Sequence, residues 1–270
     1  MVELDTATDQ YVVIDIGGMP VLVRNESPEF LQMLEGRYSG FVNAEVPAAF
    51  EVEVELVPPG RISEDEDVAV RFAHGWWIIE RGDLRAEWDP GSRRGRIVQS
   101  QNPYSIDTAL RIIHSLILAR EGGLLVHAAS AVRNGKAFLF AGVSGAGKTT
   151  ISRLAPPDAR LLTDEISYVR RNGTGYLAHG TPFAGELAEP GENIKAPLAA
   201  LYFLEKGPRN AVEQICQSAA AGRLLENVLF FAKDPELVQR VFESACELVR
   251  SVPVYRLTFY PDQRVWELIG

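Results

Sequence analysis

A chain of 270 residues suits one large domain or two small ones, and a hydrophobic share of 46% is that of a globular protein. The formal net charge of −9 argues against non-specific binding to a nucleic-acid backbone. No stretch has the apolar length needed to cross a bilayer, and the acidic start Met1–Gln10 lacks the basic and apolar regions of a secretory signal. Cys216 and Cys246 have no metal-ligand spacing, so a reduced, cytoplasmic setting is expected.

Up to about Ser100 the chain reads as strand-rich. Tyr11–Asp15 and Val21–Arg24 are short β runs separated by the turn signal Gly17-Gly18-Met19-Pro20. Ser27-Pro28-Glu29 opens a short helix with Phe30, Leu31 and Leu34 on one side. Phe50–Leu56 alternates charged and apolar residues, the pattern of a half-exposed strand. A loop is expected at Pro58-Pro59-Gly60 and the acidic Ser63–Asp67. Short strands follow at Val68–Phe72, Trp76–Glu80, Leu84–Trp88 and Gly95–Val98. Trp76 and Trp77 face opposite sides of their strand, and core packing is the expected role of such aromatics; His74 is a loop residue. Ser105–Arg120 has helical apolar spacing, with Ser105 or Asp107 as cap and a packed His114.

The stretch with a chemical signature comes next. Leu124–Val132 and Ala137–Ala141 are apolar strands around Asn134-Gly135, a strong hairpin signal. Gly142-Val143-Ser144-Gly145-Ala146-Gly147-Lys148-Thr149 then matches the phosphate-binding pattern G-x-x-x-x-G-K-[ST], with a strand before it and a helix after it. The glycines allow the backbone to curl so that successive N–H groups can point at phosphate oxygens, and Thr150 continues the run into the helix. Lys148 supplies a cation for the outer phosphates, and the Thr149 hydroxyl is placed to ligate Mg²⁺. Counting back through the hairpin from Arg133 opposite Lys136 places His127 opposite Gly142, beside this loop.

Pro156-Pro157 ends the helix, and Ala159–Thr163 is a strand leading to Asp164-Glu165. A strand–loop–helix–strand unit puts Asp164 at the same sheet end as Lys148. A second hairpin is expected around Asn172-Gly173. His179–Glu186 is a glycine-rich loop, and one of Glu186, Glu189 and Glu192 could reach a metal ion. Ala199–Leu204 reads as a strand and Ala211–Ala232 as a helix broken near Ala221-Gly222. Asp234-Pro235-Glu236 starts a further helix that buries Leu237, Val238, Val241, Ala245 and Leu248. Val254–Phe259 and Val265–Ile269 read as closing strands.

The run HAASAVRNGKAFLFAGVSGAGKTT, followed closely by LLTDE, resembles the catalytic domain of HPr kinase/phosphorylase and its smaller relatives, which share a nucleotide-binding core with phosphoenolpyruvate carboxykinases. The resemblance is good over residues 122–205 and loose beyond. It implies that the family's strand histidine corresponds to His127 and its loop lysine and hydroxyl to Lys148 and Thr149. It also implies that the family's base for the acceptor hydroxyl is Asp164, and that its metal-contacting glutamate is Glu186. The chain has Asp164-Glu165 where the family has two aspartates. The family's later glycine-rich signature and phosphorylase arginine have no recognisable match, so the resemblance does not carry the reverse, dephosphorylating activity over to this chain.

The expected architecture is therefore α/β, with a strand-rich α+β region over 1–100 and a P-loop kinase core of the HPr kinase/phosphoenolpyruvate carboxykinase type over 101–270. The implied activity is transfer of the γ-phosphate of ATP, with Mg²⁺, to a serine hydroxyl of a protein or peptide. Such relatives occur beside peptide-modifying gene clusters, so a peptide hydroxyl is a plausible acceptor. No nucleic-acid or membrane partner is expected, and homo-oligomerisation is left open. A small-molecule kinase and a non-catalytic nucleotide-binding module that recognises a partner are the alternatives.

Overall fold

The computed structural model describes residues 10–59 and 67–270; Met1–Asp9, Gly60 and most of the expected acidic loop at Ser63–Asp67 lie outside them. The described chain is mixed α/β, built on two sheets. It divides into two compact units after Leu110, with Ile16–Gly18 grouped with the second.

The first unit carries a seven-stranded sheet. Its strands are β1 (Tyr11–Ile16), β2 (Met19–Arg24), β3 (Phe50–Leu56), β4 (Ala69–Ala73), β5 (Trp76–Arg81), β6 (Leu84–Asp89) and β7 (Arg94–Gln99), in the order β1-β2-β3-β7-β6-β5-β4. β3 runs parallel to both β2 and β7. The first turn is only Gly17-Gly18, both with positive φ, because Met19-Pro20 already belongs to the strand. Helix α1 (Pro28–Arg37) starts where the Ser27 hydroxyl accepts the Phe30 N–H at 3.2 Å. As the alternation requires, Trp77 is buried while Trp76 is exposed.

Helix α2 (Pro103–Glu121) begins earlier than either expected cap. Asn102 is the capping residue, its side-chain oxygen accepting the Tyr104 N–H at 2.9 Å, and Pro103 occupies the first turn, where a missing N–H costs nothing. Asp107, freed from capping, is buried and bonded by Arg37 and the Tyr38 hydroxyl. His114 is fully buried, its Nδ1 3.1 Å from the Tyr168 hydroxyl.

The second unit holds β8 (Leu124–Arg133), β9 (Lys136–Ala141), α3 (Lys148–Arg153), β10 (Ala159–Thr163), β11 (Ile166–Asn172), β12 (Gly175–His179), β13 (Lys195–Lys206), β14 (Ala211–Gln214), α4 (Gln217–Leu225), α5 (Pro235–Ser251) and β15 (Val254–Phe259). Two long strands, β8 and β13, each take part in three ladders. β8 pairs through Leu124–His127 with β11 and through Ala128–Arg133 with β9. β13 pairs near its start with β12, then runs parallel to β9 and β15. The Asn134-Gly135 turn has the expected register, from Arg133↔Lys136 to Ala128↔Ala141.

β10 and β11 lie along one edge of β8. Thr163 faces Ser130 and Ile166 faces His127, the same offset on either side of a two-residue gap at Asp164-Glu165. They follow one another along that edge, with a register shift between Leu161 and Thr163 and the gap after it. β10 and β9 are both antiparallel to β8, so Thr163 and Ala141 end at the same edge of the sheet.

Four readings of the sequence need correction. The second hairpin turns at Gly173-Thr174, since Asn172 and Gly175 are already paired. Ala211–Gln214 is a strand, paired antiparallel to β15, and only Gln217–Leu225 of the expected long helix is helical; Gly222 lies within it. Val238 is 48% exposed on α5 rather than buried. Val265–Ile269 falls in a 3-10 helix (Gln263–Leu268), capped by Asp262 through the Arg264 N–H, because Trp266 turns into the core. There it meets Phe140 edge-on at 5.4 Å, and its indole N–H donates to the Ile151 carbonyl at 3.1 Å. One aromatic thus ties α3 to the sheet; truncating such a residue costs about 3–5 kcal/mol. Both cysteines are free thiols. No helix among the described residues is long and apolar enough to cross a membrane.

His179, buried at the end of β12, has its pKa pushed down to about 4 by desolvation, with Arg170 and Lys195 adding repulsion. The folded chain therefore binds this proton less readily than the unfolded chain, whose histidine titrates near about 6.5. Its stabilising contribution is present above that value and is lost as pH falls toward about 4. Melting temperatures measured across this window should drop, and His179→Gln should flatten the drop.

Candidate functional site

The loop between β9 and α3 is shaped by three glycines. Gly142 is buried, and a Cβ there would lie 2.8 Å from the Ala146 Cβ. Gly145 and Gly147 hold positive φ of 76° and 113°. A Cβ on Gly147 would also meet the Phe259 ring at 2.5 Å, so the loop is seated on the end of β15. The Ala146 N–H closes the curl onto the Val143 carbonyl at 3.0 Å, while Val143, Ser144 and Gly145 are exposed. Thr149 and Thr150, half-buried, open α3.

Lys148 is the buried member, 8% exposed. Its Nζ donates to the carbonyls of Gly142 at 2.9 Å and Val143 at 3.4 Å, so the ammonium lies against the loop's own backbone. Burial pushes its pKa down, and the negative charges of Glu165 and Glu186 push it back up.

Those carboxylates come from the gap in the β10/β11 edge and from the irregular segment after β12. The Thr163 hydroxyl accepts the N–H groups of Glu165 at 3.1 Å and Ile166 at 3.2 Å. Two donors that a continuous strand would offer to its neighbour are thus satisfied by a side chain, and the chain bends. Beyond the bend the two acids part. Asp164, 3% exposed, accepts the Gly185 N–H on Oδ1 at 2.8 Å and the Leu187 N–H on Oδ2 at 2.9 Å. Glu165 places Oε1 3.5 Å from His127 Nε2. The His127 imidazole holds the Glu165 carboxyl below the usual range; burial opposes this, and Lys148 and Arg111 add to it.

His127 is fixed by its backbone. Its N–H donates to the Asn227 carbonyl at 2.7 Å and it pairs with Ile166, while the β8–β9 ladder stops one step earlier at Ala128↔Ala141. Glycine is needed at 185: a Cβ there would stand 2.8 Å from Glu165 Oε2 and 2.9 Å from Asp164 Oδ2.

Of the residues singled out in the sequence, the structure gathers Lys148, His127, Glu186 and the Asp164-Glu165 pair beside the glycine loop. Glu192 is elsewhere, paired with Arg160 on the surface. Arg111 escaped the sequence reading. Its guanidinium lies 4.6 Å over the Phe183 ring, its Nε is buried with no hydrogen-bond partner among the described residues, and it acts electrostatically on Glu165. The signal was a charged residue inside the apolar run Leu110–Leu118 of α2.

Gly147→Ala should destabilise the second unit by about 1–3 kcal/mol through the Phe259 overlap, on top of the left-handed backbone strain. Gly145→Ala, with a positive φ but no atom within 4 Å, should lose the strain part alone. Urea unfolding of the two variants separates the contributions.

Residues 99–270 match the family described as SynChlorMet cassette protein ScmC, and no curated protein matches the chain significantly. Since that match spans more than half of the chain and includes every residue of the cluster just described, the chain belongs to the ScmC family.

Proposed function

We propose that the second unit is a P-loop kinase core and that the chain is an ATP-dependent phosphotransferase, moving the γ-phosphate to a serine hydroxyl of a protein or peptide. The observation that carries this reading is Lys148, a lysine desolvated against a tightly curled glycine loop and within the electrostatic reach of two carboxylates. Such a loop can offer backbone N–H groups and one cation to a triphosphate while acids stand across from it. The resemblance of residues 122–205 to HPr kinase/phosphorylase supports the same reading.

Mg²⁺ fits the donor set: the Thr149 hydroxyl, next to Lys148 in the chain, and the Glu186 carboxylate, whose charge acts on Lys148, are hard oxygen donors. The described residues hold no cluster of three or more His, Cys, Asp or Glu that would bind a metal unaided. Thr149 and Glu186 would therefore hold an ion that arrives with the triphosphate and keeps several waters. Such an ion neutralises charge on the phosphate oxygens. The chain's own contribution is mostly positioning: loop amides and Lys148 orient the phosphates, His127 braces the acidic pair, and a carboxylate at 164–165 receives the acceptor's proton. Homo-oligomerisation would not alter this chemistry, since every group named comes from one chain.

Lys148→Ala should weaken binding of ATP with Mg²⁺ by at least about tenfold and abolish transfer, with the melting temperature held or raised because a buried ammonium is removed. Calorimetric titration with ATP and Mg²⁺ checks this, and unchanged affinity would remove the loop from the nucleotide site. If labelled ATP modifies no acceptor while affinity for ATP is normal, the chain is a nucleotide-binding module.

A further inference from the structure

The two neighbouring acids at the strand gap are engaged in different ways. Both oxygens of Asp164 accept backbone N–H groups, from Gly185 and Leu187, and the side chain is almost wholly buried. This is an anchor: it ties the segment that carries Glu186 to the end of β10. With both oxygens taken by backbone amides and the side chain buried, Asp164 presents little of its carboxylate to an incoming hydroxyl.

Glu165 differs in each respect. Its side chain is partly exposed, Oε1 lies 3.5 Å from His127 Nε2, and Oε2 stands over Gly185, where no side chain intervenes. It also lies within the field of Lys148 and Arg111, so it stays charged and faces the cations that would hold the phosphates. The Arg111 guanidinium is braced on the Phe183 ring.

We propose, resting on the phosphotransfer reading above, that Glu165 rather than Asp164 is the catalytic residue that takes the acceptor's proton, that His127 is a positioning residue for Glu165, and that Asp164 is the anchor of the Gly185–Leu187 segment. In the step itself the acceptor oxygen attacks the γ-phosphorus. The bond from that phosphorus to the β–γ bridging oxygen breaks, and its electron pair leaves with ADP. The hydroxyl proton passes to a Glu165 oxygen and then to water. No electron acceptor or donor is needed. A carboxylate of ordinary or lowered basicity suffices, because a loose transition state leaves the proton in place until late.

The test uses the full chain, a degenerate serine-peptide library, γ-labelled ATP with Mg²⁺, and the non-hydrolysable analogue AMPPNP for affinity. Glu165→Gln should lower label transfer about 10²–10⁴-fold while melting temperature and AMPPNP affinity stay near wild type. Asp164→Asn should do the reverse in emphasis: the melting temperature falls, and transfer by the folded fraction falls less than in Glu165→Gln. His127→Ala should lower kcat at constant KM for ATP, and His127→Gln, which keeps a donor facing Glu165, should recover part of that loss. Wild-type transfer by Glu165→Gln, or a full loss in Asp164→Asn at unchanged melting temperature, overturns the assignment and leaves the kinase reading standing. A wild type that binds AMPPNP but labels no peptide and releases no phosphate overturns the kinase reading, and the assignment with it.

Discussion

The candidate site depends on one hydroxyl. Thr163 sits buried at the end of β10, and its Oγ1 takes the N–H groups of Glu165 and Ile166. Without that acceptor, the strand edge along β8 has no reason to open, since Thr163 and Ile166 keep the same offset on either side of the gap. A continuous strand would alternate its side chains between two faces and pair residues 164 and 165 with β8. The bend instead leaves both acids at the sheet edge where β9 delivers the glycine loop. A Thr163→Val strand would be better by propensity alone, but the two amides would then need other partners, each worth about 1–3 kcal/mol when buried and unsatisfied.

The glycine loop is supported from the opposite side by residues far along the chain. Phe259 fills the space under Gly147, and Trp266 bonds the carbonyl of Ile151 in α3. Phe138, Phe140, Tyr202 and Leu257 complete this cluster beneath the sheet. The local turn chemistry of the loop and the long-range packing of the last fifteen residues therefore act on the same few backbone atoms. This is why a six-residue helix, too short to be stable alone, can hold its position.

Much of this was legible in the sequence where the determinant is local. The Asn134-Gly135 turn sets the register of its hairpin, and with it the position of His127, because a two-residue turn with positive φ at both positions leaves no freedom to slip. The glycine spacing likewise announces a curled loop. Readings failed where the partner is distant. Ala211–Gln214 has helix-forming neighbours, yet it is a strand because β15 pairs with it. Val265–Ile269 has a strand composition, yet Asp262 caps it and the core draws Trp266 inward. The same limit applies inside the site. No spacing rule could show that the amides of Gly185 and Leu187 return to Asp164, or that an arginine in an apolar helix meets Phe183.

The same return sets the two neighbouring acids apart, because their side chains have different partners. Asp164 is short and rigid enough to receive two amides from a segment packed directly against it. Position 165 must reach His127, whose backbone N–H is bonded to the Asn227 carbonyl and which stands opposite Ile166 in the ladder. An aspartate there would end about 1.5 Å short, one carbon–carbon bond, and the 3.5 Å approach to the imidazole would open to a separation that water fills. The glutamate is therefore matched to the position of the histidine, and the histidine is set by the hairpin turn. Charge follows the same geometry. Lys148 is desolvated against the carbonyls of its own loop, which pushes its pKa down, and the negative charges of Glu165 and Glu186 oppose that push.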